Sequence, residues 1–140
     1  MYSAGMKIIR TRPDAVAAPS ELVTGAVHID ELAAPAPPSR VRVGSVRFAP
    51  GARTHWHRHP LGQVLHVTEG AGLVQRRGGP VEPIGVGDTV RIEPGEWHWH
   101  GAGATTPMTH LVVQEAAADG TEAEVDEAVT DAEYAAAPAS

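Results

Sequence analysis

The sequence predicts an all-β fold, a sandwich or barrel that ends in a short helix. The 15 glycines and 12 prolines are spread through the 140 residues as punctuation between short runs of alternating apolar and polar residues. Such runs, bounded by turn residues, are typical of strands. The sequence shows no internal repeat. A chain of 140 residues is long enough to bury one core without disulfides. We therefore expect residues 1–140 to form a single domain.

The alternating runs predict nine strands. In chain order these are Lys7–Arg10, Val23–Asp30, Arg42–Phe48, Thr54–His59, Val64–Glu69, Gly72–Arg76, Asp88–Glu93, Glu96–His100 and Met108–Glu115. The Pro-rich segment Leu32–Arg40 is expected to cross between strands in an extended conformation. The tail, residues 116–140, is rich in alanine and acidic residues. Its Thr130 and Glu133 have the spacing of a capping box, which predicts a short helix over residues 131–136.

Composition limits the cellular setting and the partners. The chain has no cysteine, which excludes disulfides, thiolate ligands and cysteine nucleophiles and is compatible with a reducing compartment. No stretch is apolar for long enough to be a signal peptide or a bilayer span, so we expect a cytoplasmic protein without a membrane partner. The net charge of −6 argues against nucleic acid, because phosphate binding requires a basic face.

Five of the eight histidines fall in two short stretches, HWHRHPLGQ and GEWHWHG. On a strand, residues two apart face the same side, so His55, His57 and His59 would share a face. Two neighbours of this set can converge on one ion, whereas the outer pair is about 13 Å apart at about 3.3 Å per residue. Gln63 follows across a Pro-Leu-Gly turn, which can return its amide oxygen toward the same point.

His98 and His100 form a second pair on one face, in which we expect one ligand and one neighbour. Unpaired imidazoles inside a core would be costly unless partners satisfied them, so the two sets predict a metal site. Imidazole nitrogen and amide oxygen favour one divalent transition metal, Mn, Fe, Ni, Co or Zn, over Mg. The residue pattern alone leaves open which histidines are ligands and which of these metals is bound.

The first stretch resembles the first motif of the cupins. That motif consists of a glycine, five residues, His-x-His, three or four residues, usually a glutamate, six residues and a glycine. Gly51, His57, His59, Gln63 and Gly70 keep every spacing. Glutamine stands where the family usually has glutamate.

The second stretch resembles the second cupin motif, which reads glycine, five residues, Pro-x-Gly, two residues and histidine. Gly87, Gly95 and His98 keep that spacing. Glu93 takes the position of the usual proline, and Ala102 replaces the asparagine that is common near the end of the motif.

The resemblance, over about residues 51–70 and 87–102, implies the cupin fold, a jelly-roll barrel also called a double-stranded β-helix. It also implies a homodimer or homotetramer, since cupins often pair through their sheets and an exposed edge strand needs covering. His55 lies outside the motif. The metal ligands that the resemblance implies are His57, His59, Gln63 and His98.

Four segments show a narrower likeness, to small bacterial cupins with manganese-dependent, R-selective hydroxynitrile lyase activity. They are PGARTxWHxHPLGQ, PGExHWHGA, TTxMTHLxxQE and VTDxxY, and the likeness extends over about residues 22–134. It implies that manganese is the metal and that His100 and His110 take part in proton transfer. His55 departs from this group, in which a small residue is expected, and is predicted to line the pocket mouth.

Gln63 affects both the charge of the metal ion and the choice of the catalytic base. Three neutral imidazoles and an amide leave a divalent ion its full +2 charge, which makes it a stronger Lewis acid. Gln63 cannot act as a base, so that role passes to His100 or His110, because the pKa of histidine lies near the working pH. The residues predicted to shape the pocket are His55, Val46, Leu65, Met108, Val112 and Gln114.

We therefore predict a metal-dependent enzyme that acts on a small molecule, a carbon–carbon lyase that reversibly cleaves a cyanohydrin to an aldehyde and cyanide. Three alternatives stay open. The first is a metal-dependent dioxygenase, which oxygen consumption would reveal. The second is a non-catalytic module that binds a small molecule without turnover. The third is an isomerase or cyclase of a biosynthetic pathway.

Overall fold

The computed structural model describes residues 5–136. In this range it contains twelve strands, β1 to β12, and one helix, α1. The strands are β1 (Val16–Ala17), β2 (Val23–Thr24), β3 (Val27–Ala33), β4 (Val41–Phe48), β5 (Arg53–Thr54), β6 (His57–Arg58), β7 (Gln63–Arg76), β8 (Glu82–Gly85), β9 (Thr89–Ile92), β10 (His98–Ala102), β11 (Met108–Glu115) and β12 (Glu124–Val125). The helix α1 spans Asp131–Ala135. The last four residues of the predicted tail, 137–140, lie outside the described residues.

The long strand β7 joins the two halves of one curled sheet. The first part of its 14 residues pairs with β11 and β9, and the second part pairs with β10 and β8. The sheet continues from β11 through β4 and β3 to β1, and from β10 through β5 to β2. Its core is apolar and includes Val27, Phe48, Ala102 and Met108. The predicted all-β, jelly-roll architecture with one short C-terminal helix is confirmed.

Gly70 marks the point at which β7 passes from one half of the sheet to the other. Its φ is +72°, and a Cβ here would lie 1.9 Å from the carbonyl oxygen of Pro107. Gly70→Ala is expected to lower the free energy of unfolding by about 2–4 kcal/mol, because alanine is strained in this conformation and its methyl group overlaps the main chain. Urea unfolding of the purified variant measures the loss.

Gly78 provides the matched control. Its φ is +88°, but an added Cβ would meet nothing within 4 Å. Gly78→Ala should therefore cost only the backbone strain, about 1–2 kcal/mol. Equal losses in the two variants would contradict the role given to the contact with Pro107.

Several predicted strands have different bounds, because glycine conformation acts independently of the alternating pattern. The runs predicted over Val64–Glu69 and Gly72–Arg76 form the single strand β7, since the bend at Gly70 does not interrupt the pairing. The run Val23–Asp30 is instead divided into β2 and β3 by Gly25, whose φ is +84°. The run Thr54–His59 is likewise divided into β5 and β6.

The prediction of a strand over Lys7–Arg10 is wrong. This segment has no assigned secondary structure and no strand neighbour among the described residues, and Ile8 and Ile9 are 64% and 63% exposed. Leu32–Arg40 was expected to cross between strands in an extended conformation; its first two residues belong to β3, and the rest connects β3 to β4. β3 and β4 are antiparallel neighbours, so the segment after Ala33 is a hairpin connection.

The short strands β1, β8 and β12 were not predicted, because two to four residues carry too little alternation to be recognised. The strand predicted over Met108–Glu115 is confirmed with the same bounds. Its eight residues alternate clearly and pair on both sides, with β4 and β7.

The predicted helix is confirmed as α1, and residues 116–130 of the tail are not helical. The Thr130 hydroxyl accepts a hydrogen bond from the Glu133 main-chain N–H at 3.1 Å, and the Glu133 carboxylate accepts one from the Thr130 N–H at 2.9 Å. Tyr134 donates its hydroxyl to the Ala102 carbonyl at 2.6 Å, and the Arg53 guanidinium lies 4.5 Å from the centroid of the Tyr134 ring. These contacts hold α1 against β5 and β10. No helix within residues 5–136 is long and apolar enough to cross a membrane.

Candidate metal centre

Three of the predicted ligands lie together because β6 and β10 are neighbours. The antiparallel register places His57 directly opposite His98, and their ring centroids are 4.2 Å apart. His59 follows His57 by two residues, and its ring centroid lies 5.0 Å from that of His57 and 5.5 Å from that of His98. All three side chains are buried. The pairing of two distant segments thus forms one cluster of imidazoles.

Each of these rings is oriented by a main-chain carbonyl. A carbonyl oxygen can only accept a hydrogen bond, so the ring nitrogen that contacts it, Nδ1, carries the proton. In a neutral ring the other nitrogen, Nε2, then has a free lone pair, as a metal ligand requires. The Nδ1–oxygen distances are 2.8 Å from His57 to His55, 2.8 Å from His59 to Glu122 and 2.9 Å from His98 to Glu96.

Burial keeps the three rings neutral. It is the main cause that lowers the pKa of His57 well below its ordinary value, with the neighbouring His98 and His59 adding to the shift. Burial also lowers the pKa of His59, and lowers that of His98 to about 4. Near neutral pH the cluster therefore presents lone pairs rather than positive charges, which favours a cation as its partner.

Gln63 adds an oxygen to the cluster. Its side-chain N–H donates to the Gln114 side-chain oxygen at 2.9 Å, which turns its own Oε1 toward the imidazoles. That oxygen lies 3.3 Å from Nε2 of His98. In the neutral ring this contact brings together two acceptors, so neither atom satisfies the other. Two lone pairs that face the same point are the arrangement expected of ligands to a shared cation.

The donor set fits a divalent transition metal. Nε2 of His59 is buried without a hydrogen-bond partner, a state that is costly in a dry interior. Together with Nε2 of His57 and His98 and Oε1 of Gln63 it gives three nitrogen ligands and one oxygen ligand. Imidazole and amide ligands suit Mn, Fe, Co, Ni or Zn rather than Mg.

His100 lies beside this cluster. The ring nitrogens of His57, His98 and His100 lie within 4.8 Å of one another, so by distance alone the tightest group contains His100 and leaves out His59. The His100 ring is stacked on that of His98 with centroids 5.6 Å apart. His100 is thus placed either to bind the same ion or to react with a molecule bound to it.

A hydrogen-bond chain determines which nitrogen of His100 is free. His110 donates from Nδ1 to the Leu111 carbonyl at 3.2 Å, so its Nε2 has a lone pair when the ring is neutral. That nitrogen lies 3.1 Å from Nδ1 of His100, which must therefore be the donor. Nε2 of His100 is left with a free lone pair, buried and without a partner. A buried basic nitrogen of this kind can accept a proton.

The rings of His100 and His110 are both neutral in the resting protein. Burial is the main cause that lowers the pKa of His110 to about 4 and that of His100 well below its ordinary value. The Phe48 ring packs against both, with centroids 5.7 Å from His100 and 5.4 Å from His110. The Thr54 hydroxyl accepts a hydrogen bond from the His100 main-chain N–H at 3.2 Å.

Part of the cluster lies on the wall of a cavity of about 290 Å³, whereas His98 is not among the residues that line it. His57, His59, Gln63, His100 and His110 all contribute to this wall. The remainder is largely apolar and is formed by Leu22, Val23, Val27, Ile29, Val46 and Phe48 among others. A volume near the lower end of the range for ligand pockets suits a small organic molecule.

Three of the predicted pocket residues lie in the cavity wall, namely Val46, Val112 and Gln114. The other three, His55, Leu65 and Met108, are not among the residues that line it, and their role in the pocket stays a prediction. His55 contributes its carbonyl to His57 and its main-chain N–H to Leu22. Leu65 is 0% exposed and Met108 1% exposed.

A model of the cupin domain matches residues 44–114, which contain both histidine motifs. The chain belongs to the cupin family. This cupin is also 53% identical over 116 residues, 83% of its own chain and 88% of the relative, to an (R)-mandelonitrile lyase of Granulicella tundricola. A span of 116 residues in a chain of 140 must contain residues 25–116, and therefore β4 to β11 and every residue of the imidazole cluster.

Solved structures agree with this family membership. A cupin-like protein of Thermotoga maritima is 37% identical and superimposes with a TM-score of 0.79, over 91% of this cupin and 95% of that protein. The polyketide cyclase RemF of Streptomyces resistomycificus superimposes with a TM-score of 0.68, over 93% and 91% of the two chains, at 20% identity. The second likeness concerns the fold alone.

Glu122 contacts residues of the metal centre but was not predicted as a site residue from the sequence. Glu122 lies in the irregular tail, 63 positions from the histidine that its carbonyl contacts, and its carboxylate bonds to Gln114 and Arg42. No spacing rule connects such a position with a metal motif. Only the acidic character of the tail indicated that a carboxylate was available there.

Proposed function

We propose that this cupin is a metal-dependent hydroxynitrile lyase, which reversibly cleaves a cyanohydrin to an aldehyde and cyanide. The observation that carries the proposal is the free lone pair on Nε2 of His100, buried beside a set of imidazole and amide lone pairs on the wall of an apolar cavity. The (R)-mandelonitrile lyase named above, which is 53% identical, supports the choice of reaction.

Four side chains would hold the metal, and manganese is proposed from the likeness to the manganese-dependent lyases. When bound, the metal supplies a Lewis acid that stabilises negative charge on a substrate oxygen. No carboxylate belongs to the set, so the ligands do not reduce the charge of the ion. The proposed ligands are His57, His59, Gln63 and His98.

His100 is the proposed base. Its free Nε2 accepts the proton of the cyanohydrin hydroxyl as the carbonyl double bond forms. The bond between the carbinol carbon and the nitrile carbon breaks, and its electron pair leaves with cyanide. His110 accepts the hydrogen bond from Nδ1 of His100 throughout, which stabilises the positive charge on the protonated ring. The same Nε2 then returns the proton to cyanide, and hydrogen cyanide departs.

The cavity supports a substrate with an apolar substituent. Val46, Val112 and Phe48 lie in its wall near the two histidines, so the side group of a small cyanohydrin can be buried there. Excluding water from this region strengthens the electrostatic interactions that stabilise developing charge.

Metal analysis of the purified protein, followed by a mandelonitrile cleavage assay with and without chelator, tests the proposal. We expect one manganese ion per chain and cleavage that a chelator abolishes and added Mn²⁺ restores. Oxygen uptake is measured in parallel, because consumption of oxygen with a small substrate would favour a dioxygenase instead. The assignment would be contradicted if the wild-type protein, supplied with metal, bound none of it. It would also be contradicted if the protein bound the metal but did not cleave mandelonitrile.

A further inference from the structure

A line of hydrogen bonds leads away from the metal centre to the surface of the protein. The Gln63 side-chain nitrogen donates to the Gln114 oxygen at 2.9 Å, and the Gln114 nitrogen donates to the Glu122 carboxylate at 3.0 Å. The same carboxylate accepts two bonds from Arg42, at 2.9 Å and 3.1 Å. Arg42 is also bonded to Glu31. The mechanism proposed above uses none of Gln114, Glu122, Arg42 and Glu31.

The carboxylate gives this line a single direction. While it is ionised, the Glu122 carboxylate can accept hydrogen bonds but cannot donate one. The hydrogen bond from Arg42 is the main cause that lowers its pKa. Gln114 must therefore turn its nitrogen toward Glu122 and its oxygen toward Gln63. Gln63 must in turn present its nitrogen to Gln114 and its oxygen to the imidazoles. Donor and acceptor chemistry thus decides which end of the Gln63 amide faces the metal centre.

The main chain of the same residue holds a second ligand. The carbonyl of Glu122 accepts the hydrogen bond from Nδ1 of His59 at 2.8 Å, which leaves Nε2 of His59 free for the metal. Glu122 thus orients one proposed ligand through its side chain and another through its backbone. Mutation can remove the carboxylate of Glu122 while its main-chain carbonyl stays in place.

We infer that Glu122 is a positioning residue of the metal centre, whose carboxylate sets the direction in which Gln63 presents its amide. The inference rests on the proposed metal site. It also explains why position 63 carries glutamine. A carboxylate there would face the oxygen of Gln114, and two acceptors would meet.

The test is a double-mutant cycle on Mn²⁺ affinity, measured by competition with a fluorescent chelator. Glu122→Leu is expected to weaken Mn²⁺ binding by about 10–100-fold, the usual effect of losing an outer-shell partner. In a Gln63→Ala background the same change should have no further effect, because the carboxylate acts through Gln63. Glu115→Leu is the matched control, since that exposed carboxylate only pairs with Arg40 at 3.9 Å and its loss should leave the affinity unchanged.

A role for Glu122 in merely holding the tail gives a different result. Displacement of the tail would also remove the carbonyl from His59, so Glu122→Leu would weaken binding equally in both backgrounds. That outcome, or an unchanged affinity in the single variant, overturns the inference. Wild-type protein that binds Mn²⁺ but cleaves no cyanohydrin would refute the proposed function while leaving this inference standing.

A second pair of variants tests the direction of the line without metal. Gln63→Glu is expected to lower the melting temperature of the metal-free protein, because two acceptors then face each other. Adding Glu122→Gln should restore it, since the whole line can then reverse. Glu31→Gln is the control, because it removes a carboxylate that bonds to Arg42 but leaves the carboxylate of Glu122 in place. It should not restore the melting temperature. Equal melting temperatures of the Gln63→Glu protein with and without Glu122→Gln would overturn the inference.

Discussion

His100→Ala is expected to lower kcat for mandelonitrile cleavage by about 10²–10⁴-fold, the usual contribution of a general base, while the protein retains its metal. The reason is that Nε2 of His100 has a free lone pair beside the proposed ligands, whereas both nitrogens of His110 are engaged. Steady-state kinetics together with metal analysis of the same preparation measures both effects.

His28→Ala is the matched control for this prediction. His28 is exposed and lies on β3 outside the cavity wall, so its removal should change neither turnover nor metal content. Loss of metal from His100→Ala would place His100 among the ligands, as its position within 4.8 Å of the nitrogens of His57 and His98 permits. It would then no longer be the base.

His110→Ala should cost turnover as well, again with the metal retained. This change leaves the Nδ1–H of His100 without its acceptor in a dry interior, so protonation of His100 becomes less favourable. We expect a smaller loss than in His100→Ala, because the accepting nitrogen itself is still present. Unchanged cleavage of mandelonitrile would contradict the role given to His110.

His57→Ala is expected to abolish both stoichiometric metal binding and cyanohydrin cleavage. His57 is at the centre of the cluster, opposite His98 and two residues before His59. Its loss should weaken metal binding by more than the 10–100-fold typical of outer-shell partners. Elemental analysis after dialysis against a chelator measures the bound metal.

The matched comparison for His57→Ala is His100→Ala. One variant should lose metal and activity together, and the other should lose activity alone. A His57→Ala protein that keeps one metal per chain would show that the ion is bound elsewhere. Added Mn²⁺ at high concentration should not recover the activity of His100→Ala, because that variant already holds its metal and lacks the base.

Features that depend on nearby residues could be predicted well from the sequence. The strand Met108–Glu115 and the capping box at Thr130 were predicted correctly, since alternation and cap spacing act over a few residues. The neighbourhood of His57 and His59 was also predictable, because two residues separated by one position lie on the same side of an extended chain. These are local consequences of backbone geometry.

The contacts that complete the site belong to the tertiary structure. The residue pattern alone does not place β6 beside β10, and His57 and His98 were expected in one site only through the resemblance to the cupins. The register of the two strands brings His98 opposite His57. Glu122 could not be found at all from the sequence, since its partners lie in distant strands.

By itself, the sequence determined an all-β fold, two histidine-rich segments that resemble the cupin motifs, and a small helix with its cap. The tertiary structure decided which ring nitrogens are free, which way the Gln63 amide points and which histidine can accept a proton. The physical reason is that a spacing pattern gives the side on which a residue lies. Donor and acceptor roles depend on the partner that folding places opposite it.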